Sequence, residues 1–224
     1  MTVRADRSSA LHIRAAGLDD VAGLTELAQV VATLPLLLRY GARAERLVQD
    51  LVRLARLQSE PAGGRDPARF TDHAAGTGTA PTPGGELLLV AEGSLSVDGD
   101  GAGDGRSALL GFARVQLGSD ATSGHFGRGG YLRLIALRPH LHGRGVGSHL
   151  LSAVETAVQR RHPDLFLLTS DFNLGAQRFY ERAGYCRVGA LPDFVQDGIT
   201  ELIYWKRLLA SNVPLASARP SPGN

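Results

Sequence analysis

The stretch Leu132–Glu155, LRLIALRPHLHGRGVGSHLLSAVE, decides how this 224-residue chain is read. An apolar run from Leu132 to Leu137 gives way to the turn His142-Gly143-Arg144-Gly145-Val146-Gly147. Beyond it Val146, Leu150, Leu151, Val154 and Val158 recur at helical spacing, which predicts a helix to about Arg161 with one apolar face. Three glycines in six residues let backbone N–H groups approach a ligand without interference from Cβ atoms. The first N–H groups of the helix have no carbonyl partner, and its dipole is positive at that end. Together with the arginine in the turn, these features suit a phosphate group.

Other uses of such a turn are separable by spacing. A P-loop requires Gly-x-x-x-x-Gly-Lys-Ser/Thr, and the only lysine of the chain is the distant Lys206. A dinucleotide fingerprint, Gly-x-Gly-x-x-Gly, fails at its sixth position, which is Ser148 counted from Gly143 and Leu150 counted from Gly145. A purely structural strand-to-helix turn is the remaining alternative. A metal site at His140, His142 and His149 lacks a carboxylate or cysteine to complete it, so no metal is expected.

Composition sets the wider frame. Hydrophobic residues make up 43% and charged residues 21%, which suits one globular α/β domain with flexible additions. All but one of the 24 basic residues are arginine, yet the formal net charge is only +2. Arg39, Arg43, Arg46, Arg53 and Arg56 lie along one predicted helix, but Glu45 and Asp50 interrupt them. A nucleic-acid surface would cluster basic residues and interleave aromatics, so no nucleic-acid partner is expected. Cys186 is the sole cysteine, which excludes an internal disulfide, and it is expected to be a small core residue. The N-terminus has no long apolar segment and no run is long enough to span a bilayer, so a cytoplasmic protein without a membrane partner is expected.

Working outward, His12-Ile13-Arg14 forms a first strand after an N-terminal extension, residues 1–10. Asp19 or Asp20 then caps a helix with Val21, Leu24, Leu27, Ala28 and Val31 on one face. A second helix is predicted over about Leu36 to Leu57. Residues 58–85, rich in Gly, Pro, Ala and Thr, form a loop insert. Strands follow at Glu86–Glu92 and Ala108–Leu117, joined by a Gly- and Asp-rich insert at 96–106, and then at Tyr131–Leu137. After the glycine turn and its helix come a strand at Leu165–Thr169, a helix at Ala176–Ala183 closed by Gly184, and strands at Cys186–Gly189 and Ile199–Trp205. The tail, 210–224, is expected to be disordered. This order predicts an α/β (α+β) domain over 11–209, with a mixed, mostly antiparallel sheet of six to seven strands flanked by helices.

A second motif, Asn173-Leu-Gly-Ala176-Gln-Arg-Phe179-Tyr180-Glu-Arg-Ala-Gly184-Tyr185, follows the next strand. The glycine turn and this segment, in order, resemble those of the GCN5-related N-acetyltransferase superfamily. That family's first motif is Arg/Gln-x-x-Gly-x-Gly/Ala, and its second is Asn-x-x-Ala-x-x-Phe/Tyr-Tyr-x-x-x-Gly-Phe/Tyr. His142 stands where arginine or glutamine is usual. The likeness covers most of residues 11–208 and implies the family's fold, with acetyl-coenzyme A as acyl donor.

The resemblance also implies site residues. Backbone groups of Ile135, Ala136 and Leu137 would bind the pantetheine arm where two strands splay apart. His142, Gly143, Arg144, Gly145, Val146 and Gly147 would cradle the pyrophosphate, and Asn173 would bond the arm. Tyr180 would be the general acid that protonates the departing thiolate. The implied reaction moves an acetyl group to a primary amine, on a small molecule or peptide, by direct attack in a ternary complex. The alternative is a non-catalytic acyl-CoA sensor of the same fold. Neither flanking strand, LRLIAL nor LFLLT, carries a carboxylate to act as base. Water held by Thr169 or Ser170, or the loop residue His125, would serve instead, or an acceptor amine of low pKa would need no base. Acceptor choice would rest on Val21–Leu57 and on Pro192–Gly198, with Asp193, Asp197 and Glu201 able to attract a cation. The sequence leaves a monomer and a homodimer both open.

Overall fold

The computed structural model describes residues 11–40, 44–60, 85–94, 107–117 and 129–208. Seven strands form one sheet: β1 His12–Ala15, β2 Glu86–Ser94, β3 Ser107–Gln116, β4 Gly130–Leu137, β5 Asp164–Ser170, β6 Cys186–Pro192 and β7 Thr200–Arg207. Their order across the sheet is β1-β2-β3-β4-β5-β7-β6, so β7 inserts between β5 and β6. Every pairing is antiparallel except β4 with β5. The helices are α1 Val21–Ala32, α2 Pro35–Arg39, α3 Ala44–Ser59, α4 Val146–Gln159 and α5 Leu174–Arg182. Among the described residues, no helix is long and apolar enough to cross a membrane.

Both faces of the sheet are covered at β1–β4, which explains the continuous apolar run in β2. Leu88, Val90, Phe112 and Ala136 join Leu24, Leu27, Val31, Leu51 and Leu54 of α1 and α3 in one core cluster. Leu87, Leu89 and Ala91, on the alternate face, join Leu150, Leu151, Val154 and Val158 of α4 in the other. That second cluster continues over β5 and β7 through Leu165, Leu167, Leu202 and Tyr204, and takes in Tyr180 and Tyr185. Lys206 on β7 bonds both carboxylate oxygens of Glu155 on α4 at 2.9 Å, closing that layer.

The feature that positions the site is a parting of strands. β4 and β5 are in register only over Gly130↔Leu165, Tyr131↔Phe166 and Leu132↔Leu167. On its other edge β4 stays paired with β3 as far as Gly111↔Leu137. The register between β3 and β4 slips at Arg114/Val115, leaving Arg133 as an extra residue in β4. Such a bulge bends the strand, and here it falls where β4 leaves β5. Arg138, just beyond β4, fixes the end of the strand: its Nε donates to Leu109 O at 2.8 Å and its guanidinium meets Glu26 of α1 at 2.8 Å.

Several expectations need correction. The helix predicted over Leu36–Leu57 is two helices, because the backbone leaves α2 at Tyr40 and α3 starts at Ala44. Tyr40 is held there by distant partners on β5 and β7 rather than by helical bonds. The loop expected from residue 58 does not start there, since α3 runs to Ser59 and Gln58 is buried against β2. Residues 61–84, 95–106 and the tail from 209 lie outside the described residues, as do residues 1–10 and His125. Cys186 is exposed rather than buried, because β7 leaves β6 as the sheet edge.

The cap expected at α1 is also different. The Asp20 side chain makes no capping bond to α1. Its carboxylate instead takes two bonds of 2.7 Å from the Arg14 guanidinium and one of 2.7 Å from the Gly17 N–H. Burial alone would raise the Asp20 pKa, but the hydrogen bonds from Arg14 and Gly17 and the charge of Arg14 outweigh it, and the net shift is downward. A carboxylate lowered on folding adds stability that is complete above its unfolded pKa, about 4, and is lost as pH falls through the folded value. Asp20→Asn should therefore lower stability at pH 7 and flatten its fall below about pH 4. Urea unfolding at pH 7 and pH 3 checks this; an equal loss at both pH values would contradict it.

Candidate active site

The glycine turn joins β4 to α4 as its sequence requires. Residues Pro139–Leu141 make one 3-10 turn, after which Gly143 and Gly145 take left-handed conformations, φ 78° and 84°. Gly145 is the N-cap of α4, and its carbonyl accepts from Ser148 and His149 N–H at 3.0 and 3.1 Å. The turn is exposed, while the Val146 side chain is buried and pins it to the core. The N–H groups of His142 and Arg144 bond back to Pro139 and Leu141, each at 3.3 Å. The N–H groups of Val146 and Gly147, in the first turn of α4, have no intrahelical acceptor. Open space surrounds the Cα of Gly143, with nothing within 4 Å of where a side chain would start. The cradle therefore fits an anionic group, with Gly145, Val146 and Gly147 best placed as donors. Gly145→Ala should cost roughly 1–2 kcal/mol through its left-handed backbone, checked by urea unfolding.

The parted strands offer the second element. Arg138 N–H bonds Leu110 O on β3 at 2.9 Å. By the alternation of an antiparallel pair, Ala136 also points to β3, while Ile135 and Leu137 turn their N–H and C=O toward the gap beside β5. An extended ligand chain in that gap would find strand-like partners there. The cradle and the gap meet at Gly147: a methyl group placed on it would lie 3.3 Å from Leu137 Cδ1 and 3.7 Å from the Phe179 ring. The end of β4, the start of α4 and α5 thus converge on one place.

Tyr180 of α5 sits beside that convergence, 6% exposed. Its ring packs against Phe179, Tyr185 and Tyr204 at centroid distances of 5.2, 5.7 and 6.3 Å. Burial, and then the nearby Tyr131, push its pKa well above the usual phenol range. The phenol is therefore fully protonated near neutral pH and is suited to giving a proton rather than taking one. Asn173 caps α5, its Oδ1 accepting from Ala176 N–H at 3.2 Å. Gly184 ends the helix at φ 86°, with Tyr185 N–H bonded to Tyr180 O at 3.0 Å.

On the opposite face of β5 and β7 lies a cluster whose members the sequence did not connect. The Tyr40 hydroxyl donates to Glu201 Oε1 and is also hydrogen-bonded to Ser170 Oγ. Ser170 and Glu201 are register partners on β5 and β7, 2% and 4% exposed. Tyr40 is carried there by the end of α2, with Phe172 near its ring at 6.3 Å and Arg39 stacked on Phe172 at 4.1 Å. Burial, then the hydrogen bond to Glu201, push the Tyr40 pKa up to about 12. Asp193 and Asp197 are exposed, and Asp193 closes its own loop by accepting from Gly198 N–H at 2.6 Å. The signal that marks Glu201 is a charged residue inside the otherwise apolar strand ITELIYW. Nothing local marks Tyr40. Among the described residues, no group of three or more His, Cys, Asp or Glu side chains could hold a metal ion.

The site thus combines a seven-stranded mixed sheet that opens between two parallel strands with a glycine turn at the mouth of the opening. Residues 72–185, just over half of the chain, match the model of the acetyltransferase (GNAT) family, and the chain belongs to that family. No curated protein sequence matches the chain. Among solved structures it is similar to a protein from Desulfovibrio desulfuricans described as a GNAT-family acetyltransferase. That match has 21% identity over 89% of this chain and 100% of the other, with TM-score 0.56. It is also similar to the ribosomal-protein-S18-alanine N-acetyltransferase of Escherichia coli, at 13% identity over 92% and 99% of the two chains, with TM-score 0.53. A third is the PaiA N-acetyltransferase of Thermoplasma acidophilum in complex with coenzyme A, at 16% identity over 88% and 99%, with TM-score 0.52. At these identities the structures establish the shared fold.

Proposed function

We propose that this protein transfers the acetyl group of acetyl-coenzyme A to a primary amine, by direct attack within a ternary complex. The observation that carries this reading is the convergence of three features: the opened β4–β5 edge, the glycine turn and the buried phenol of Tyr180. The first N–H groups of α4 would hold the pyrophosphate, and Ile135 and Leu137 would hold the arm through their gap-facing backbone groups. The bound coenzyme would supply an activated acetyl thioester. Tyr180 would then protonate the departing sulfur. Its raised pKa keeps the proton in place until it is needed, and a thiolate formed in the same buried gap is made more basic by the same desolvation. A primary amine acceptor fits the acidic, aromatic-lined cluster of Tyr40 and Glu201.

Free-thiol release from acetyl-coenzyme A over a panel of small amines, polyamines and peptides tests this reading. Turnover with at least one primary amine, and an N-acetylated product by mass, is expected. Tight coenzyme binding without turnover on any amine would instead favour a sensor.

A further inference from the structure

The sheet buries a carboxylate, Glu201, that no lysine or arginine among the described residues neutralises. β5 and β7 run together from Asp164↔Arg207 to Ser170↔Glu201, and the last of these pairs lies on the half of β5 that β4 has left. Leu165, Leu167 and Leu202 face α4 and α5, so by alternation Ser170 and Glu201 face the other side of the sheet. There the neighbours Phe166, Leu168, Ile203 and Trp205 are only half-buried, and among the described elements α2 reaches across, through Tyr40. Glu201 is thus buried one strand away from the gap.

Among the described residues its partners are few. A carboxylate offers about four acceptor positions, and Tyr40 supplies one donor, with Ser170 able to donate in turn to the Tyr40 oxygen. Among the described residues, no lysine or arginine lies within ion-pair distance of Glu201. Burying a carboxylate without a cation is costly, and such a position suits a ligand's ammonium group. Beside it stand Tyr40 on α2 and, at the end of β5, Asp171, whose N–H bonds Thr200 O at 2.9 Å; Tyr131 and Arg133 lie on β4. Arg133 stacks near the Tyr131 ring at 6.0 Å and lies 3.8 Å from Glu86. Glu201 lies on one face of the sheet and Tyr180 on the other.

We propose that Glu201 binds the acceptor's ammonium group and takes its proton, with Tyr40 and Ser170 as positioning residues; this rests on the acetyltransferase reading above. Glu201 accepts one proton from the ammonium, and the freed nitrogen lone pair forms the N–C bond at the thioester carbonyl. The C–S bond then breaks with its electron pair on sulfur, which takes the Tyr180 proton. Tyr180 is reprotonated by the second proton leaving nitrogen, through solvent, and Glu201 releases its own to water. Each turnover yields one amide, one thiol and one proton. The acceptor class is therefore a primary amine that is cationic in solution.

The test is the pH dependence of kcat/KM from pH 6 to 10, with a primary amine that the unmodified protein acetylates. Glu201→Gln should lower kcat/KM about 10²-fold near neutral pH. Its rate should then climb about tenfold per pH unit toward the amine's own pKa, about 10.4 for an alkyl amine like the lysine side chain. Coenzyme affinity should hold. A Glu201→Gln profile parallel to the original and within threefold of it would overturn the proposal. Should that variant not fold, Tyr40→Phe answers the same question. Removing the hydroxyl that orients the carboxylate should lower kcat/KM for the amine at least tenfold while coenzyme affinity holds, and an unchanged kcat/KM would overturn the proposal. If the unmodified protein acetylates no amine, the acetyltransferase reading itself fails and takes this one with it. If only the variants behave like the original, the transferase stands and Glu201 is not its base.

Discussion

Tyr180→Phe is expected to lower kcat by about 10²–10⁴-fold, the range for loss of a positioned proton donor. The substitution removes one oxygen and keeps the ring, whose contacts with Phe179, Tyr185 and Tyr204 are aromatic. The melting temperature and the affinity for coenzyme should therefore change little, because neither the glycine turn nor the β4 edge is touched. The loss should fall on kcat rather than on KM for the amine, since the phenol acts on the leaving sulfur and not on the acceptor. Steady-state kinetics beside a thermal melt separate these quantities. An unchanged kcat would reduce Tyr180 to a packing residue of the core.

The largest stability effect is expected at Gln58, near the end of α3. β1 pairs with β2 as far as Ala15↔Leu89, and Ala16 N–H still bonds Leu88 O before the chain turns away, which leaves Leu88 N–H and Ala16 O without each other. Gln58 bridges them as a strand would. Its Oε1 accepts from Leu88 N–H at 2.5 Å, and its Nε2 donates to Ala16 O at 2.9 Å and Leu88 O at 3.2 Å. In Gln58→Leu the Leu88 carbonyl would keep a second donor, Ala16 N–H at 2.9 Å. Ala16 O and Leu88 N–H would lose the Gln58 bond in a buried setting. At about 1–3 kcal/mol for each buried unsatisfied group, the loss should be roughly 2–6 kcal/mol. Urea unfolding measures it directly. A loss under about 1 kcal/mol would mean that water or backbone movement satisfies both groups.

What could be read from the sequence follows the range of the forces involved. Gly143 and Gly145 were legible because positive φ is a property of one residue, and Asn173 because its capping bond reaches only three residues along the chain. The buried faces of α1 and α4 were legible from periodicity for the same reason. The misread features depend on partners far away. Asp20 abandons its capping role for Arg14, which the first strand brings alongside. The break after Arg39 depends on Tyr40 reaching β5 and β7, 130 and 161 residues further on. Cys186 is exposed only because β7 slips inside β6, an ordering that no local pattern encodes. Glu201 is marked by its charge within an apolar strand, but its pairing with Ser170 and its bond from Tyr40 depend on strand order. The binding half of the site is therefore written in short motifs, and the acceptor half in topology.

Direct acetyl transfer is tested most directly by following the acetyl carbon. Enzyme in excess over acetyl-coenzyme A labelled in its acetyl group would be mixed with a reactive primary amine and quenched at successive times. The account predicts that label passes to the amine nitrogen in step with thiol release, with none on the protein at any time and no thiol released when the amine is omitted. Label appearing on the protein, or thiol released at the same rate without amine, would contradict it.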